Sequence, residues 1–415
     1  MNYPRSAYVH IPFCHRRCFY CDFPIVLLGD KARGDYGPGS KTVQAYLKLL
    51  YREISLASKG TPLATVYIGG GTPSLLAPYQ VFDLLNHIRT QFGFQDGAEV
   101  SFEIDPASFN REDLMGYMEA GVNRFSLGVQ SFDDVMLTRI GRRHQFNHLI
   151  DSFNWINEFF LEGKLYSWSL DLIQNLPNQD IEAWKSQLEK VLHIAPPHIS
   201  VYDLSIENGT VFEWMQNRGE LDLPDSDLSA DIAILTSSML KEAGFSRYEI
   251  SNFALPGHTS RHNRVYWSGS EWWGFGQGAT SCIGGKRFSR PRKSGEYKQW
   301  VEKQEVEGPN KSLLSESRSL IDLEEMLLTG LRRREGVNFL QLADDWGWDK
   351  KQTKLFLNKL LLRLDDFIKG GLVKAYGERI LLTDPEGMNL SNKILVEMIL
   401  WWESLPTAAV QPPIL

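Results

Sequence analysis

The sequence predicts an α/β protein: an open, partial (β/α)6 barrel of the TIM type, followed by a small helical, winged-helix-like domain. Two observations lead to this prediction. Over the first 250 residues or so, short β-rich runs alternate six times with helix-like stretches, which favours a parallel sheet covered by helices. Each β-rich run is also followed by glycine-rich or polar residues, as at the carboxyl ends of barrel strands. A doubly wound sheet is the alternative, because six units fall short of a closed barrel.

The predicted elements follow from hydrophobic periodicity, which has a period of two in strands and about 3.6 in helices. The predicted strands are 7–11, 65–68, 99–104, 124–129, 167–173 and 199–204. The predicted helices are 43–57, 78–92, 111–120, 147–162, 180–193 and 226–243.

Beyond residue 250 the alternation stops, and the chain becomes rich in Gly, Trp and Arg. Helix-like stretches at 319–334, 338–346 and 351–368 then precede a hairpin pattern, GLVKAYGERILLT. We therefore predict three parts. They are the partial barrel in residues 1–250, a loop-rich connection in 251–311 and a C-terminal domain in 312–415.

Composition and charge exclude several classes of protein. The chain has 415 residues, of which 43% are hydrophobic and 23% charged, as is typical of a globular protein. The net charge of -7, with acidic and basic residues nearly balanced in the C-terminal part, argues against a nucleic-acid-binding face. The chain shows no apolar run of about 18 residues and no signal-peptide pattern at its amino terminus. We predict a cytoplasmic protein without an integral membrane segment.

Three of the four cysteines fall in one short loop, HIPFCHRRCFYCDFP, at Cys14, Cys18 and Cys21. A structural zinc site needs four ligands, usually as two separated pairs, and this loop does not offer that pattern. Three thiolates can instead hold three irons of a [4Fe–4S] cluster and leave the fourth iron open. The loop therefore predicts an iron–sulfur site, with zinc as the alternative. Cys282 is far away in sequence and is predicted to be a small buried side chain.

Chemically unusual residues follow the predicted strands in order. They are GGGTPS (Gly69–Ser74) after the second strand, then Glu103 and Asp105, Gln130, Asp171, and Tyr202 with Asp203. A single residue of this kind usually belongs to a turn, is a surface carboxylate or forms an ordinary ion pair. Because parallel strands gather their carboxyl ends at one edge, the ordered set predicts a common site there.

The Cys-x3-Cys-x2-Cys spacing resembles the signature of the radical SAM superfamily. The stretches YVHIPFC, YIGGGTPSLL, EIDP, SLGVQSF, GRRH, SLDLI and HNRVYW stand in the same order as in the HemN/HemW family. That family contains oxygen-independent coproporphyrinogen III oxidase and its relatives, and the resemblance covers nearly the whole chain. It implies one [4Fe–4S] cluster on the three cysteines, S-adenosylmethionine (SAM) chelated to the open iron, and an electron donor such as flavodoxin or ferredoxin.

The resemblance also implies the residues that contact SAM. Glycines allow a close backbone approach to the methionine end, a buried carboxylate accepts from its ammonium group, and an arginine suits its carboxylate. The residues are Tyr8, Tyr20, Gly70, Gly71, Thr72, Glu103, Gln130, Arg142 and Asp171. The chain departs from the family at Gln174–Gln179, which reads QNLPNQ where the family has YGLPGQ. At these positions the resemblance does not carry over the substrate-side contacts of the family.

Two features resemble the haem-chaperone branch of the family more than the oxidase. Phe23 stands where the oxidase has a further cysteine, and only about six residues precede the first predicted strand. The stretch HNRVYW (262–267) also matches that branch, which makes His262 a candidate ligand of haem iron among aromatic side chains. From residue types alone, a hydrogen-bonded histidine in an aromatic-packed loop is the alternative.

The predicted function is therefore that of a radical SAM protein in haem metabolism, a chaperone that binds haem and transfers it to acceptor proteins. The alternative is an oxygen-independent coproporphyrinogen III dehydrogenase, which decarboxylates coproporphyrinogen III to protoporphyrinogen IX. Radical oxidation of another substrate is a third hypothesis. We assign no substrate-side catalytic residue, and we do not expect an active coproporphyrinogen III dehydrogenase.

Overall fold

The computed structural model describes residues 4–29, 40–308 and 323–410 of the chain. Within them the strands are β1 (Ser6–Ile11), β2 (Phe13–Cys14), β3 (Val26–Leu27), β4 (Leu63–Gly70), β5 (Phe94–Ile104), β6 (Arg124–Gln130), β7 (Ser167–Gln174), β8 (His198–Asp203), β9 (Ser246–Arg247), β10 (Asn252–Ala254), β11 (Trp273–Phe275), β12 (Thr280–Ile283), β13 (Lys286–Ser289), β14 (Val337–Asn338), β15 (Val373–Tyr376) and β16 (Arg379–Leu382).

The helices are α1 (Lys41–Leu56), α2 (Pro78–Phe92), α3 (Arg111–Ala120), α4 (Asp134–Arg139), α5 (Phe146–Leu161), α6 (Ile181–Ile194), α7 (Val211–Asn217), α8 (Ser226–Glu242), α9 (Arg261–Trp267), α10 (Ser294–Glu307), α11 (Leu323–Leu331), α12 (Phe339–Asp345), α13 (Lys350–Arg363), α14 (Asp365–Lys369), α15 (Glu386–Asn389), α16 (Ser391–Glu403) and α17 (Thr407–Val410). A 3-10 turn covers Pro73–Leu75.

The main sheet has the strand order β11-β1-β4-β5-β6-β7-β8-β10-β9. Every neighbouring pair from β11 to β8 is parallel, whereas β10 and β9 are antiparallel additions at the far edge. The six predicted strands are β1 and β4 to β8, which lie side by side in chain order. This order confirms the open (β/α)6 barrel, because a doubly wound sheet reverses its strand order at a switch point.

Each barrel strand has one apolar and one polar face, since alternate side chains in a strand point to opposite sides. Val9, Ile68, Phe102, Phe125 and Trp168 pair in register across five strands, and all are fully buried in the main hydrophobic core. The neighbouring register positions are polar and line the barrel interior; they include Tyr8, Tyr67, Glu103, Ser126 and Ser169. The apolar face stabilises the fold, and the polar face can supply the side chains of a functional site.

The segment predicted to be a loop-rich connection is more regular than expected. It supplies β10 to β13 and the helices α9 and α10, and β11 extends the barrel beside β1. A buried ion pair joins it to the barrel layer, where Arg290 Nε donates to Glu53 Oε1 at 2.7 Å. Helix α10 was missed because it buries only Tyr297 and Val301, so its apolar periodicity is weak. The division of the chain at residues 250 and 311 stays a prediction.

The C-terminal part has its own hydrophobic core, around Phe339, Leu360 and Trp401. The predicted hairpin is confirmed as β15 and β16, and β14 completes a three-stranded sheet in the order β14-β16-β15. With α12 and α13 this gives the winged-helix-like arrangement. The start of the helix predicted at 319 lies outside the described residues. Among the helices that are described, not one combines the length and apolar character needed to cross a bilayer.

Candidate functional site

A cavity of about 440 Å³ opens at the carboxyl ends of the barrel strands. It brings together all of the predicted site residues except Tyr8 and His262, which do not line it. Those that line it are Cys14, Cys18, Tyr20, Cys21, Gly70, Gly71, Thr72, Glu103, Gln130, Arg142 and Asp171. These residues span more than 150 positions of sequence, so the parallel strand order is what assembles them.

The cysteine loop is anchored at both ends by backbone hydrogen bonds. Short strands β2 and β3 pair in parallel, and Leu28 N donates to Cys14 O at 2.9 Å. In the middle, Phe19 N donates to Ile140 O at 3.0 Å, and Arg17 Nη1 donates to Cys21 O at 3.0 Å. The three free thiols are all partly exposed and face the same cavity. The loop is thus held open around them rather than packed into the core.

These residues fit a [4Fe–4S] cluster. Within the described part of the chain, no three His, Cys, Asp or Glu side chains converge on a point that could hold a single metal ion. A cluster does not need such convergence, because its three thiolates bind three different irons. Burial raises the pKa of Cys14 to about 12, partly offset by the Thr72 hydroxyl. Cluster binding would therefore displace a proton from this thiol.

Polar donors already point at the cysteine sulfurs. Thr72 Oγ1 lies 3.5 Å from Cys14 Sγ, and Arg142 Nη1 lies 3.8 Å from Cys18 Sγ. Hydrogen bonds to sulfur are one way in which proteins tune the potential of an iron–sulfur cluster. When bound, such a cluster supplies one electron to the sulfonium of SAM, a step that belongs to the cofactor chemistry. The protein contributes the binding, the orientation and the electrostatics.

The glycine loop after β4 is a close-packed cradle, and two positions show why side chains are excluded. A Cβ on Gly71 would lie 2.7 Å from Phe13 O and 3.0 Å from Cys14 Sγ. Gly70 has a φ of +114°, and a Cβ there would lie 2.4 Å from the His10 ring. Thr72 N also donates to Phe13 O at 2.7 Å. The loop therefore packs directly against the cysteine loop.

Glu103 is held at the centre of the site by two donors. Tyr67 Oη donates to Oε1 and Gly70 N donates to Oε2, each at 2.9 Å. Burial raises the pKa of Glu103 to about 7, despite these two hydrogen bonds, and the nearby Asp171 adds to the rise. A carboxylate in this position gains most from a cationic ligand, which is what an ammonium group is.

Asp171 is oriented by hydroxyl groups from the neighbouring strand β6 and from its own strand, β7. Ser126 Oγ donates at 2.7 Å and Ser169 Oγ at 3.1 Å. Gln130 lies at the end of β6 with a φ of +66°, a conformation that non-glycine residues rarely adopt and that often marks functional positions. Burial raises the pKa of Asp171 above its ordinary value. Both side chains line the cavity, as their predicted contacts with SAM require.

Arg142 is engaged more fully than the sequence indicated. Its Nη2 forms an ion pair with Asp105 and donates to Gly128 O at 2.9 Å. Burial raises the pKa of Asp105, but the Arg142 guanidinium, His144 and the backbone N–H of Ala107 together outweigh this effect and hold that pKa below its ordinary value. Any SAM carboxylate at Arg142 would have to share the guanidinium with Asp105.

Tyr20 and Tyr8 occupy different positions. Tyr20 lines the cavity and packs against a small apolar cluster that includes Ile140 and Ile173. Tyr8 lies one layer below the cavity, where its hydroxyl hydrogen-bonds His10 Nδ1 at 3.0 Å and its ring stacks on Tyr67. Tyr8 therefore reaches the site through Tyr67. Its predicted contact with the cofactor stays a prediction.

His262 lies at the bottom of the barrel and is fully buried. Its Nδ1 hydrogen-bonds Thr65 Oγ1 and its Nε2 hydrogen-bonds Tyr266 Oη, both at 2.8 Å, and its ring stacks on Tyr67. Burial lowers the pKa of His262 to about 3, so the ring is neutral. In this conformation neither ring nitrogen is free for iron. Its predicted role as a haem ligand requires that one of the two hydrogen bonds break.

The QNLPNQ segment has two residues in the left-handed backbone region that glycine favours. Asn175 and Asn178 stand where the family motif has glycines, and they have φ values of +62° and +59°. Asparagine is among the residues that best tolerate this left-handed region. Gln174 Nε2 and Asn175 Nδ2 also donate to Asp203 Oδ1, at 2.6 and 2.8 Å. Asparagine thus fills positions that suit glycine, while Gln174 and Asn175 place amide groups beside Asp203.

Sequence reasoning missed Tyr67, which lines the cavity and connects Glu103 to His262. The available signal was strand alternation, because Tyr67 and Gly69 lie on the same face of β4. The prediction for Cys282 is confirmed, since its side chain is fully buried on β12.

The open barrel, the three-thiol loop and the strand-end cavity together define a radical SAM protein, and the Radical SAM superfamily model matches residues 8–186. A Synechocystis protein named "Heme chaperone HemW" is 40% identical over 412 residues, which cover 94% of this chain and 95% of the relative. The Bacillus subtilis protein of the same name is 34% identical over 94% of this chain and 98% of the relative. The chain belongs to the HemW family.

A solved structure shares the fold. Coproporphyrinogen III oxidase (HemN) from Escherichia coli superimposes with a TM-score of 0.76, covering 95% of this chain and 90% of that chain. At 23% sequence identity, this similarity establishes a common architecture and leaves activity open.

Proposed function

We propose that the protein is a haem chaperone: it binds haem and passes it to acceptor proteins, while keeping a radical SAM cluster. The observation that carries the proposal is the near full-length similarity to relatives named for that activity. Haem-acceptor proteins, an electron donor such as flavodoxin or ferredoxin, and a cytoplasmic location are parts of the same proposal.

The second candidate, coproporphyrinogen III dehydrogenase, is favoured by the shared barrel fold. The cluster loop argues against it. Phe23 lines the cavity where the resemblance to the oxidase expects a further cysteine, and its side chain is 51% exposed. An exposed aromatic ring offers an apolar contact at this point and cannot replace the chemistry of a thiol.

His262 is the candidate haem ligand that the HNRVYW motif offers, and this role has a structural requirement. For Nε2 to bind iron, His262 must leave the Tyr266 hydroxyl and emerge from beneath Tyr67. A buried hydrogen bond lost without replacement costs about 1–3 kcal/mol. The Fe–N bond would have to offset that cost.

The decisive experiment gives both substrates to one anaerobically reconstituted preparation. With SAM and a reductant, coproporphyrinogen III is expected to be recovered unchanged. Ferric haem is expected to bind with a Soret band and to move to apomyoglobin when that acceptor is added. Formation of protoporphyrinogen IX would establish the dehydrogenase instead. A preparation with full iron content that neither binds haem nor converts the porphyrinogen would contradict both functions.

A further inference from the structure

A second groove lies on the outer helical layer, away from the cluster cavity. Its volume is about 670 Å³, within the range of small-molecule sites, and it runs between α5 and α6. The residues that line it are Phe132, Phe146, Ile150, Phe153, Asn154, Asn157, Ser186, Glu189, Lys190, His193 and Ile194. None of them belongs to the cavity described above.

The groove is formed by two facing helical stripes. Phe146, Ile150 and Phe153 recur at intervals of four and three on α5, so they share one face of that helix. Lys190 and His193 share a face of α6 for the same reason. Phe153 is buried, whereas Phe146 and Ile150 are exposed. The result is an apolar wall of aromatic and aliphatic side chains that is open to solvent.

His193 differs from the other histidines of the chain. His262 has both ring nitrogens occupied, and His87, His148 and His258 are each hydrogen-bonded. The His193 ring is exposed at the groove, and the described residues offer it neither a hydrogen bond nor a ring contact. It can therefore ligate a metal without breaking an existing interaction.

Lys190 adds a positive charge beside the aromatic wall. Its Nζ lies 5.9 Å from the ring centroids of both Phe132 and Phe146, within the range of cation–π contacts. No ion pair within the described residues neutralises this ammonium group. Glu189 is the single carboxylate among the lining residues. A flat apolar ligand with an anionic edge would place its ring on the wall and its carboxylates at Lys190.

We propose that this groove is a haem-docking site in which His193 ligates the iron and Lys190 binds a propionate. The proposal rests on the haem-chaperone function proposed above and names a location for the haem. A groove open to solvent suits a carrier, because the haem can enter and leave without rearrangement of the barrel. The barrel histidine, in contrast, must first break a buried hydrogen bond.

The test compares ferric haem with metal-free protoporphyrin IX, which keeps the ring and the propionates but has no iron. Both are titrated into the anaerobically reconstituted full chain and followed by Soret absorption or fluorescence. His193→Ala is expected to weaken haem binding at least tenfold and to shift the Soret band of the bound haem. The affinity for protoporphyrin IX should change little. Lys190→Glu is expected to weaken the binding of both ligands.

Leu161→Glu is the matched control for an added charge on this layer. Leu161 is the last residue of α5, is highly exposed, and does not line the groove. This variant is expected to bind both ligands like the wild type. Iron content and SAM affinity should be unchanged in all three variants, because none of these residues lines the cluster cavity.

The outcomes separate the two proposals. If wild-type protein binds haem and His193→Ala binds it with the same affinity and spectrum, the groove is not the site, while the chaperone function stands. If His262→Ala loses haem binding and the groove variants keep it, the haem lies at the barrel histidine and the groove proposal is wrong. If the wild-type chain with full iron content binds no haem, the chaperone function itself fails.

Discussion

Glu103→Gln tests the electrostatic design of the SAM site. The substitution keeps the size of the side chain and one oxygen that can accept from either Tyr67 or Gly70, and it removes the negative charge. A hydrogen bond between charged groups contributes about 1.5–3 kcal/mol. Since about 1.4 kcal/mol is a factor of ten, SAM should bind about 10- to 150-fold more weakly. Isothermal titration of reconstituted protein measures this change.

The pH dependence follows from the pKa of Glu103, which burial raises to about 7. Below pH 7 the carboxyl is protonated before SAM arrives, so binding must release a proton and affinity falls by up to about tenfold per pH unit. Above about pH 8 the α-amino group of SAM loses its own proton, which has an ordinary pKa of about 7.7–8.0. The SAM affinity of the wild type should therefore be greatest near pH 7–8. Glu103→Gln should lose only the acidic limb of this profile, which is the fall in affinity below pH 7.

The same raised pKa makes the pH dependence of folding stability opposite to that of SAM binding: low pH weakens binding but favours folding. A carboxyl whose folded-state pKa exceeds its unfolded value of 4.5 favours folding at low pH, and this contribution is lost as the pH rises through 7. Glu103→Gln should therefore be more resistant to unfolding than wild type at pH 8. Glu207→Gln is the control, since Glu207 lines the same cavity but has no place in the proposed SAM site. Unchanged SAM affinity in Glu103→Gln, with an intact cluster, would refute this assignment of the ammonium site.

Four further predictions follow from single contacts. Cys18→Ser should lower the iron content and abolish the SAM-dependent change of the EPR signal, because one iron loses its thiolate. Gly71→Ala should also lower the iron content, since its methyl group would lie 2.7 Å from a backbone oxygen of the cysteine loop. Tyr67→Phe should weaken SAM binding a few-fold at pH 7 and move the acidic limb to higher pH, because one donor to the buried carboxylate is lost. Asn178→Ala should destabilise the protein by about 1 kcal/mol in chemical denaturation, because its φ of +59° is unfavourable for alanine.

Each of these predictions has a counterpart that separates the stated cause from general damage. A full [4Fe–4S] cluster in Cys18→Ser would remove that cysteine from the ligand set. Gly295→Ala is the control for Gly71→Ala, because a Cβ there meets open space and the backbone does not require a positive φ. An unchanged pH profile in Tyr67→Phe would show that its hydroxyl does not influence the carboxylate. Asn178→Gly loses the same side-chain hydrogen bond to Asp222 but adopts this φ without strain, so it should be destabilised less than Asn178→Ala.

The sequence by itself determined the layout of the barrel. Strand and helix positions were predictable because apolar periodicity is a local signal, and the observed bounds of α2 and α3 coincide with those predicted. The cysteine spacing likewise indicated the cluster site, since all three thiols lie within one loop. Residues at the strand ends could be assigned to one cavity because parallel strands bring their carboxyl ends to the same edge.

Tertiary structure alone decided which of these residues are free to act. His262 carried a haem motif in the sequence, yet the fold places it under Tyr67 with both nitrogens bonded. Tyr8 was separated from the cavity by the same layer, and Arg142 was already paired with Asp105. Such partners come from residues distant in the chain, and burial and hydrogen bonding depend on the packed neighbours rather than on local pattern. Periodicity can place a side chain on a face, but only packing determines whether its polar atoms remain available.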